Sequence, residues 1–508
     1  MKTKATDRFT KKERSWILYD WANSVYATNI MAAIFPTVFV AFAGDKGDLW
    51  WGYGTSIATF LIAVLAPILG AVADFKGMKK KLFTVFMLLG VIFTALIAVT
   101  NDWRVMLVGY IVSRIGFSGS NLFYDSFLTD VTTNERMDKV SSWGYAMGYI
   151  GGSTIPFLLS IVMLLVLGYA SPFAQKFSVI ITSVWWLVFS IPFLKNVHQE
   201  HYIERTPEND LRHTFRNMVH TAVDIFHNKG LFTFMLAYFF YIDGVGTVIS
   251  VSTAYGSVLG LGSVGMILAL LVTQIVAVPC SIWFSRLAAR ISARKAIIAA
   301  ICLYTVICLV GFYMGFSLEP HQMAYEQAAE EKFVSLCMEN APDSADYETM
   351  VQGYKAAFLL KDRDAQFEAL ADEYASTENA ASVHALALQF AAENDDVITA
   401  FNGAISFSST LFWCMAFLVG TVQGGIQAVS RSYFSKLVPK DRSNEYFGFF
   451  DIFGKFASVI GPVLYAFISS QTGRSSFGVL GLVLLFMVGL GILIKGKKHL
   501  EALEAVND

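Results

Sequence analysis

Seven charged residues stand inside, or at the edges of, otherwise apolar runs: Asp20, Arg114, Asp125, Asp243, Arg431, Asp451 and Lys455. An ionised side chain in hydrocarbon costs roughly 2.5–3.5 kcal/mol on insertion scales, so such residues face a bundle interior or a water-filled path and serve as proton sites, ion pairs or ligand anchors. At 1.5 Å per residue, Asp243 lies about 18 Å and Arg114 about 15 Å into their runs, whereas Asp20 is only about a turn inside its border. Asp20 and Asp243 are candidate titrating groups, and Arg114 is a candidate partner for a solute carboxylate. Asp451 and Lys455 are four apart on one helix face and can neutralise each other as a structural or coupling pair. Asn23, Tyr124, Gln423 and Gln427 join the charged residues as candidate lining of a substrate or coupling-ion path. Asp125 and Arg431 carry opposite charge and allow a salt bridge between two parts of the chain.

These residues need long apolar elements to hold them. Of 508 residues, 55% are hydrophobic and only 15% charged, against roughly 25% charged in an ordinary soluble domain. That composition predicts an all-α polytopic membrane protein. Apolar runs long enough to cross about 30 Å of hydrocarbon fall near 16–43, 49–73, 82–100, 104–128, 142–168 and 174–194, then near 231–256, 260–284, 296–316, 408–434, 445–470 and 476–494. They make twelve expected helices in two sets of six. The corresponding domains are 1–194, a cytoplasmic connector at 195–230, and a second bundle of 231–316 with 401–508. Residues 317–400 form an insertion with 17 Asp/Glu and 4 Lys/Arg.

Basic residues near span ends are retained on the cytoplasmic side. With both termini inside, 28 Lys/Arg fall in cytoplasmic segments, 8 outside and 2 (Arg114 and Lys455) deep in spans. The acidic insertion is thereby placed outside the cytoplasm, and its helix-forming stretches "MAYEQAAEEKFVSLC" and "SVHALALQFAAEN" predict a small helical accessory. The basic N-terminus leads into a full-length span without a cleavage site, so no removable signal is expected. The five cysteines suggest no disulfide framework, and the eight histidines, all outside the spans, show no metal-ligand spacing.

The two sets of spans resemble each other. A shift of 306 lays Gly119 on Gly425, Arg136 on Arg442, Gly148 on Gly454 and Pro156 on Pro462. A shift of 215 lays "GAVADFKGMKK" (70–80) over "SRLAARISARK" (285–295), and the difference is about the size of the insertion. Such repeats are typical of transporter folds. Asp20 and Asp243, each next to or near a tyrosine (Tyr19, Tyr241), are candidate counterparts at an offset of 223. Gly144, Gly148 and Gly152 recur every four residues, a spacing for close helix packing. Pro36, Pro67, Pro156, Pro279 and Pro462 lie within spans and should kink them.

The loop "GAVADFKGMKKK" (70–81) resembles the signature loop of the major facilitator superfamily, with Gly70, Ala73, Asp74, Gly77, Lys79 and Lys80 as matching positions. The resemblance implies a cytoplasmic gate: glycines for close approach and a turn, and an aspartate able to cap a neighbouring helix. In the second copy Ala289 replaces the Asp and Ser292 the Gly. "YDWANSVYAT" (19–28), "GFSGSNLFYDSFLTDV" (116–131), "YFFYIDGVGTVI" (238–249), "VQGGIQAVSRSYF" (422–434) and "FGFFDIFGKFASVIGP" (447–462) together resemble the vacuole-effluxer branch of that superfamily. That branch implies a major facilitator fold and export of amino acids or similar small metabolites. The acidic insertion has no place in its pattern.

The function expected is a secondary active transporter, not an enzyme, moving a small solute by alternating access with proton or ion coupling and no cofactor or metal. No phosphate-binding G-x-x-x-x-G-K-[ST] loop is present, so ATP drive would need another subunit. The partners expected are the solute, a proton or other ion and the lipid bilayer, with no nucleic acid and the monomer as functional unit. The location expected is a multi-pass integral membrane position with both termini cytoplasmic, in the plasma (inner) membrane if the source is bacterial. A lipid-translocating protein and a non-transporting receptor are the alternatives.

Overall fold

The computed structural model describes residues 8–44, 47–153, 155–168, 171–204, 221–261, 263–340 and 392–507. Named in chain order, the helices are α1 (Lys11–Tyr26), α2 (Phe35–Ala43), α3 (Gly47–Ala73), α4 (Met78–Ile97), α5 (Trp103–Ser126), α6 (Leu128–Val131), α7 (Asn134–Ser153) and α8 (Ile155–Leu167). There follow α9 (Pro172–Asn196), α10 (Lys229–Val258), α11 (Ser263–Ile291), α12 (Ala293–Asn340), α13 (Asp395–Leu437), α14 (Ser443–Thr472), α15 (Ser475–Lys495) and α16 (Lys497–Asn507). Among the described residues there is no strand, only one isolated bridge between Phe75 and Ile203.

Ten helices among the described residues are long and apolar enough to cross a membrane. Two further segments of the expected twelve fall outside that set. α5 carries Arg104, Arg114 and Asp125 among several serines and glycines. The first segment is broken, because α1 gives way to a π-helical stretch, Ala27–Ala33, before α2. That widened turn buries Asn29, whose Nδ2 donates to Thr182 Oγ1 at 2.9 Å and Ser160 Oγ at 3.2 Å. Pro36 stands at the start of α2, just after the π-helical stretch, and Pro156 is the second residue of α8, while Pro67, Pro279 and Pro462 sit inside continuous helices.

Local chemistry sets the entry of α1. Thr10 and Glu13 form a reciprocal capping box, and Glu13 also accepts from Arg136 Nε and Nη2 at 2.8 Å each. The glycine stripe of α7 then lets α1 approach. A Cβ at Gly144 would stand 2.8 Å from Asp20 Oδ2, one at Gly148 2.8 Å from Ser24 Oγ, and one at Gly152 2.8 Å from Thr28 Oγ1.

The N-terminal end of α1, the loops at 74–77 and 438–442, the segment 197–204 and α16 share one face, called here the termini face. Lys12 pairs with Glu200 and Lys76 with Glu204 at 2.7 Å. Tyr433 donates to Glu504 at 2.5 Å, and Arg294 pairs with Glu501 at 2.7 Å. At the other end, α12 and α13 extend beyond the apolar runs and pack through stacked Tyr325 and Phe401, with ring centroids 4.7 Å apart. The insertion expected at 317–400 therefore begins and ends as helix, and residues 341–391 lie outside the described set.

Candidate functional site

Arg431 on α13 is 4% exposed and reaches out of the second set of helices into the first. Its Nη1 donates to Asp125 Oδ1 at 2.8 Å, its Nε to Ser141 Oγ at 3.0 Å and its Nη2 to the Ser141 carbonyl at 3.1 Å. Asp20 Oδ2 stands 3.6 Å from Nη2 and accepts the Tyr124 hydroxyl at 2.9 Å. The rings of Tyr145, Trp16 and Tyr124 surround the guanidinium at 4.4, 4.7 and 5.4 Å. A desolvated guanidinium gains from aromatic faces and from bidentate or multiple acceptors in a way a lysine cannot. Two carboxylates against one cation leave a formal surplus of one negative charge in this knot, so it can accommodate a proton or a small cation.

A second set of contacts closes the termini face. Asp74, at the end of α3, caps α14: Oδ1 accepts Asn444 N at 3.0 Å and Asn444 Nδ2 at 2.6 Å, and Oδ2 accepts Glu445 N at 3.0 Å. Burial pushes its carboxyl up to about 8, against the hydrogen bonds of Asn444 and the charge of Lys79, which pull it down. Gly70 permits the approach, since a Cβ there would lie 2.4 Å from the Asn444 carbonyl oxygen. Gly77 turns the loop at φ +73. Lys79 is fully buried, paired with Asp130 at 2.6 Å, and donates to Ser443 Oγ at 3.2 Å across the two sets. Burial raises the Asp130 carboxyl most, but the Lys79 charge and the His201 hydrogen bonds outweigh it and hold it below the usual carboxylate range. Lys80 reaches no carboxylate among the described residues.

The remaining candidate residues are spread over both sets of helices. Asn23 donates to Asn121 at 2.5 Å, and Asp451 pairs with Lys455 one turn apart on α14. Gln423 lines a cavity of about 100 Å³ inside the second set, with Gln274, Tyr255, Phe412, Met415 and Cys308 among its neighbours. Gln427 stands half-buried one turn before Arg431. Arg114 donates to the Tyr110 hydroxyl at 2.6 Å and Thr59 Oγ1 at 3.4 Å. Asp243 stands apart from the knot. It is 1% exposed within the second set, where Oδ1 accepts Gly461 N at 3.0 Å, and Oδ2 finds no partner among the described residues.

Sequence reasoning missed three participants. Asp138 pairs with Lys436 at 2.7 Å and accepts Ser432 at 2.6 Å across the sets, Asn444 receives the Asp74 cap, and Asp130 anchors Lys79. The signal was available: the 306 shift lays Asp138 on Asn444 and Asp130 on Lys436.

Two sets of membrane helices joined at one face by a buried charge knot and a capped signature loop define a membrane transporter of the major facilitator type, a class that carries solutes and is not enzymatic. The chain belongs to the family described as "Vacuole effluxer Atg22 like", whose model matches residues 50–335 and 402–498. It is 38% identical over 499 residues to the "Uncharacterized MFS-type transporter YxiO" of Bacillus subtilis (strain 168), covering 96% of this chain and 95% of that one. It is 34% identical over 101 residues to Autophagy-related protein 22 of Yarrowia lipolytica, a match spanning 19% of this chain and 17% of that protein. Among solved structures it resembles a bacterial homologue of the iron transporter ferroportin in an outward-facing state, with a TM-score of 0.57, 12% identity and coverage of 96% and 98%. It also resembles the major facilitator transporter FucP in the outward conformation, with a TM-score of 0.56, 12% identity and the same coverage. Those two likenesses establish the fold.

Proposed function

We propose that this chain is a secondary active transporter that exchanges two access states by rocking residues 8–194 against 231–316 and 401–508, coupled to a proton or another ion. The observation that carries it is the Arg431 knot: one cation from one set held by two carboxylates from the other. Breaking that contact exposes a guanidinium and two carboxylates to water, and neutralising a carboxylate by a proton lowers the cost of doing so. Asp20 and Asp125 are the groups that link protonation to closure, and Asp243 is a further candidate from within the second set. The family resemblance supports an amino acid or similar small metabolite as solute and export as direction. The basic asymmetry supports both termini on the cytoplasmic side, and the presence of both sets of helices in one chain supports a functional monomer.

The test is counterflow of labelled solute in proteoliposomes with and without an imposed pH gradient. Saturable counterflow separates transport from a receptor role, and retention of lipid asymmetry in the same vesicles separates it from lipid translocation. If Asp20→Asn, Asp125→Asn and Asp243→Asn all keep gradient-driven accumulation at the parent level, the coupling role of these carboxylates is excluded.

A further inference from the structure

On the termini face two side chains of the first set grip the start of α14, and one short segment stands behind both. Asp74 accepts the backbone N–H groups of Asn444 and Glu445, and Lys79 donates to Ser443 Oγ. Those three residues are consecutive at the N-terminus of α14.

Residues 197–204, where the chain leaves α9 toward the second set, run without helix along the turn between α3 and α4. Ile203 N donates to the Asp74 carbonyl at 2.8 Å, and Lys76 N donates back to the Ile203 carbonyl at 3.2 Å, which makes the isolated bridge of Phe75 and Ile203. Gln199 Nε2 donates to the Ala73 carbonyl at 3.0 Å and reaches the Asp74 carbonyl at 3.4 Å. Carbonyls at a helix end lack donors from their own helix, and here the segment supplies them. Asp74 is therefore held from two sides: its backbone by the segment, its carboxylate by α14.

The second grip is backed in the same way. The two oxygens of the buried Asp130 carboxylate divide their work. Oδ2 pairs with Lys79 at 2.6 Å, while Oδ1 accepts Glu200 N at 3.0 Å and His201 N at 2.9 Å and stands 3.1 Å from His201 Nδ1. The segment thus fixes the carboxylate that fixes Lys79. All of these bonds end within the first set, so none has to break when α14 moves away. The ion pairs Lys12–Glu200 and Lys76–Glu204 are exposed and add little.

We propose that residues 197–204 are a positioning strap for the termini-face gate: Gln199, His201 and Ile203 hold Asp74 and the Asp130–Lys79 pair in the geometry that fits the start of α14. The inference rests on the rocking motion proposed above. The turn 74–77 contains Gly77 at φ +73 and would otherwise sample other geometries. A grip ordered in advance gives up less conformational freedom each time the face closes. Closure is thereby tuned from the connector, and whatever peels the strap from the turn shifts the protein toward an open termini face.

The experiment measures distances between spin labels at Lys81 and Asp441 in full-length protein without native cysteines. Ile203→Pro removes the N–H that binds Asp74, and Gln199→Leu removes the amide that binds the end of α3. The leucine variant keeps the test intact if the proline variant does not fold. Each raises the ratio of open to closed populations about 3- to 10-fold. Combination with Asp74→Ala separates positioning from general loosening. Once the carboxylate is gone, Ile203→Pro and Gln199→Leu add less than about twofold, whereas His201→Ala, acting through Asp130 and Lys79, keeps its full effect. Strap variants that multiply in full on the Asp74→Ala background overturn the proposal. Opening by Asp74→Ala with both strap variants at the parent ratio overturns it too and leaves the rocking intact. A distance that no variant moves, Asp74→Ala included, overturns the rocking as well.

Discussion

Asp74→Ala removes the cap of α14, and the structure sets the size of the effect. Three hydrogen bonds across the two sets are lost, at 2.6, 3.0 and 3.0 Å, each worth about 0.5–1.5 kcal/mol net. Since these contacts exist only while the termini face is closed, closure weakens by about 3 kcal/mol, a factor of roughly 150. A preference for closure of about 100 to 1 would fall to about equal populations. Asp74→Asn keeps the acceptor for Asn444 and loses the bond from Glu445, about 1 kcal/mol or roughly fivefold. The assay is distance measurement between spin labels at Lys81 and Asp441 in a background without the native cysteines. Longer distances should gain population in the order parent, Asn, Ala. The reasoning is refuted if the Ala protein keeps the parent distribution, or if Asn opens the face as far as Ala does. The same assay carries a pH dependence. The Asp74 carboxyl is held up at about 8 when buried and returns to about 3.9 when the face opens into water. A raised carboxyl favours the closed state fully below the lower value, and that contribution is lost as pH rises through the upper one. Opening should therefore increase between about pH 4 and 8, and Asp74→Asn should flatten the curve.

Ser292 occupies a left-handed backbone position at φ 88, where the equivalent loop has Gly77 at φ 73. Ser292→Gly should stabilise the protein by roughly 1 kcal/mol, read as a higher melting temperature in detergent; an unchanged or lower value refutes the strain. Lys79→Met leaves the fully buried Asp130 carboxylate without its cation and should cost about 3–5 kcal/mol, with much of the loss recovered in Lys79→Met/Asp130→Asn. Because Asp130 is held below its ordinary range, its stabilising contribution is present above about pH 4 and fades as pH falls further; acid melting curves that stay parallel for the parent and Asp130→Asn would contradict this. Gly70→Ala should open the termini face as Asp74→Ala does, since its Cβ would lie 2.4 Å from the Asn444 carbonyl oxygen.

The sequence by itself determined that the chain is helical and membrane-embedded, that it is built from two related sets of spans, and which side chains are costly enough to need a purpose. Those properties are local or periodic: hydropathy over about 20 residues, glycines at every fourth position of α7, and an offset of 306 that recurs in several elements. The same offset put Asp125 and Arg431 at equivalent places with opposite charge. Tertiary structure alone decided that they bind each other, that Asp20 shares the same guanidinium, and that Asp74 caps a helix 370 residues away. It also placed Asp243 inside one set, bound to Gly461, while Asp20 stands between the two sets. A carboxylate in an apolar run announces that it has a partner, because burial without one is too expensive. Its identity depends on how helices distant in sequence cross, and crossing is set by side-chain packing over whole faces, such as the glycine stripe against α1, which no single stretch of residues encodes.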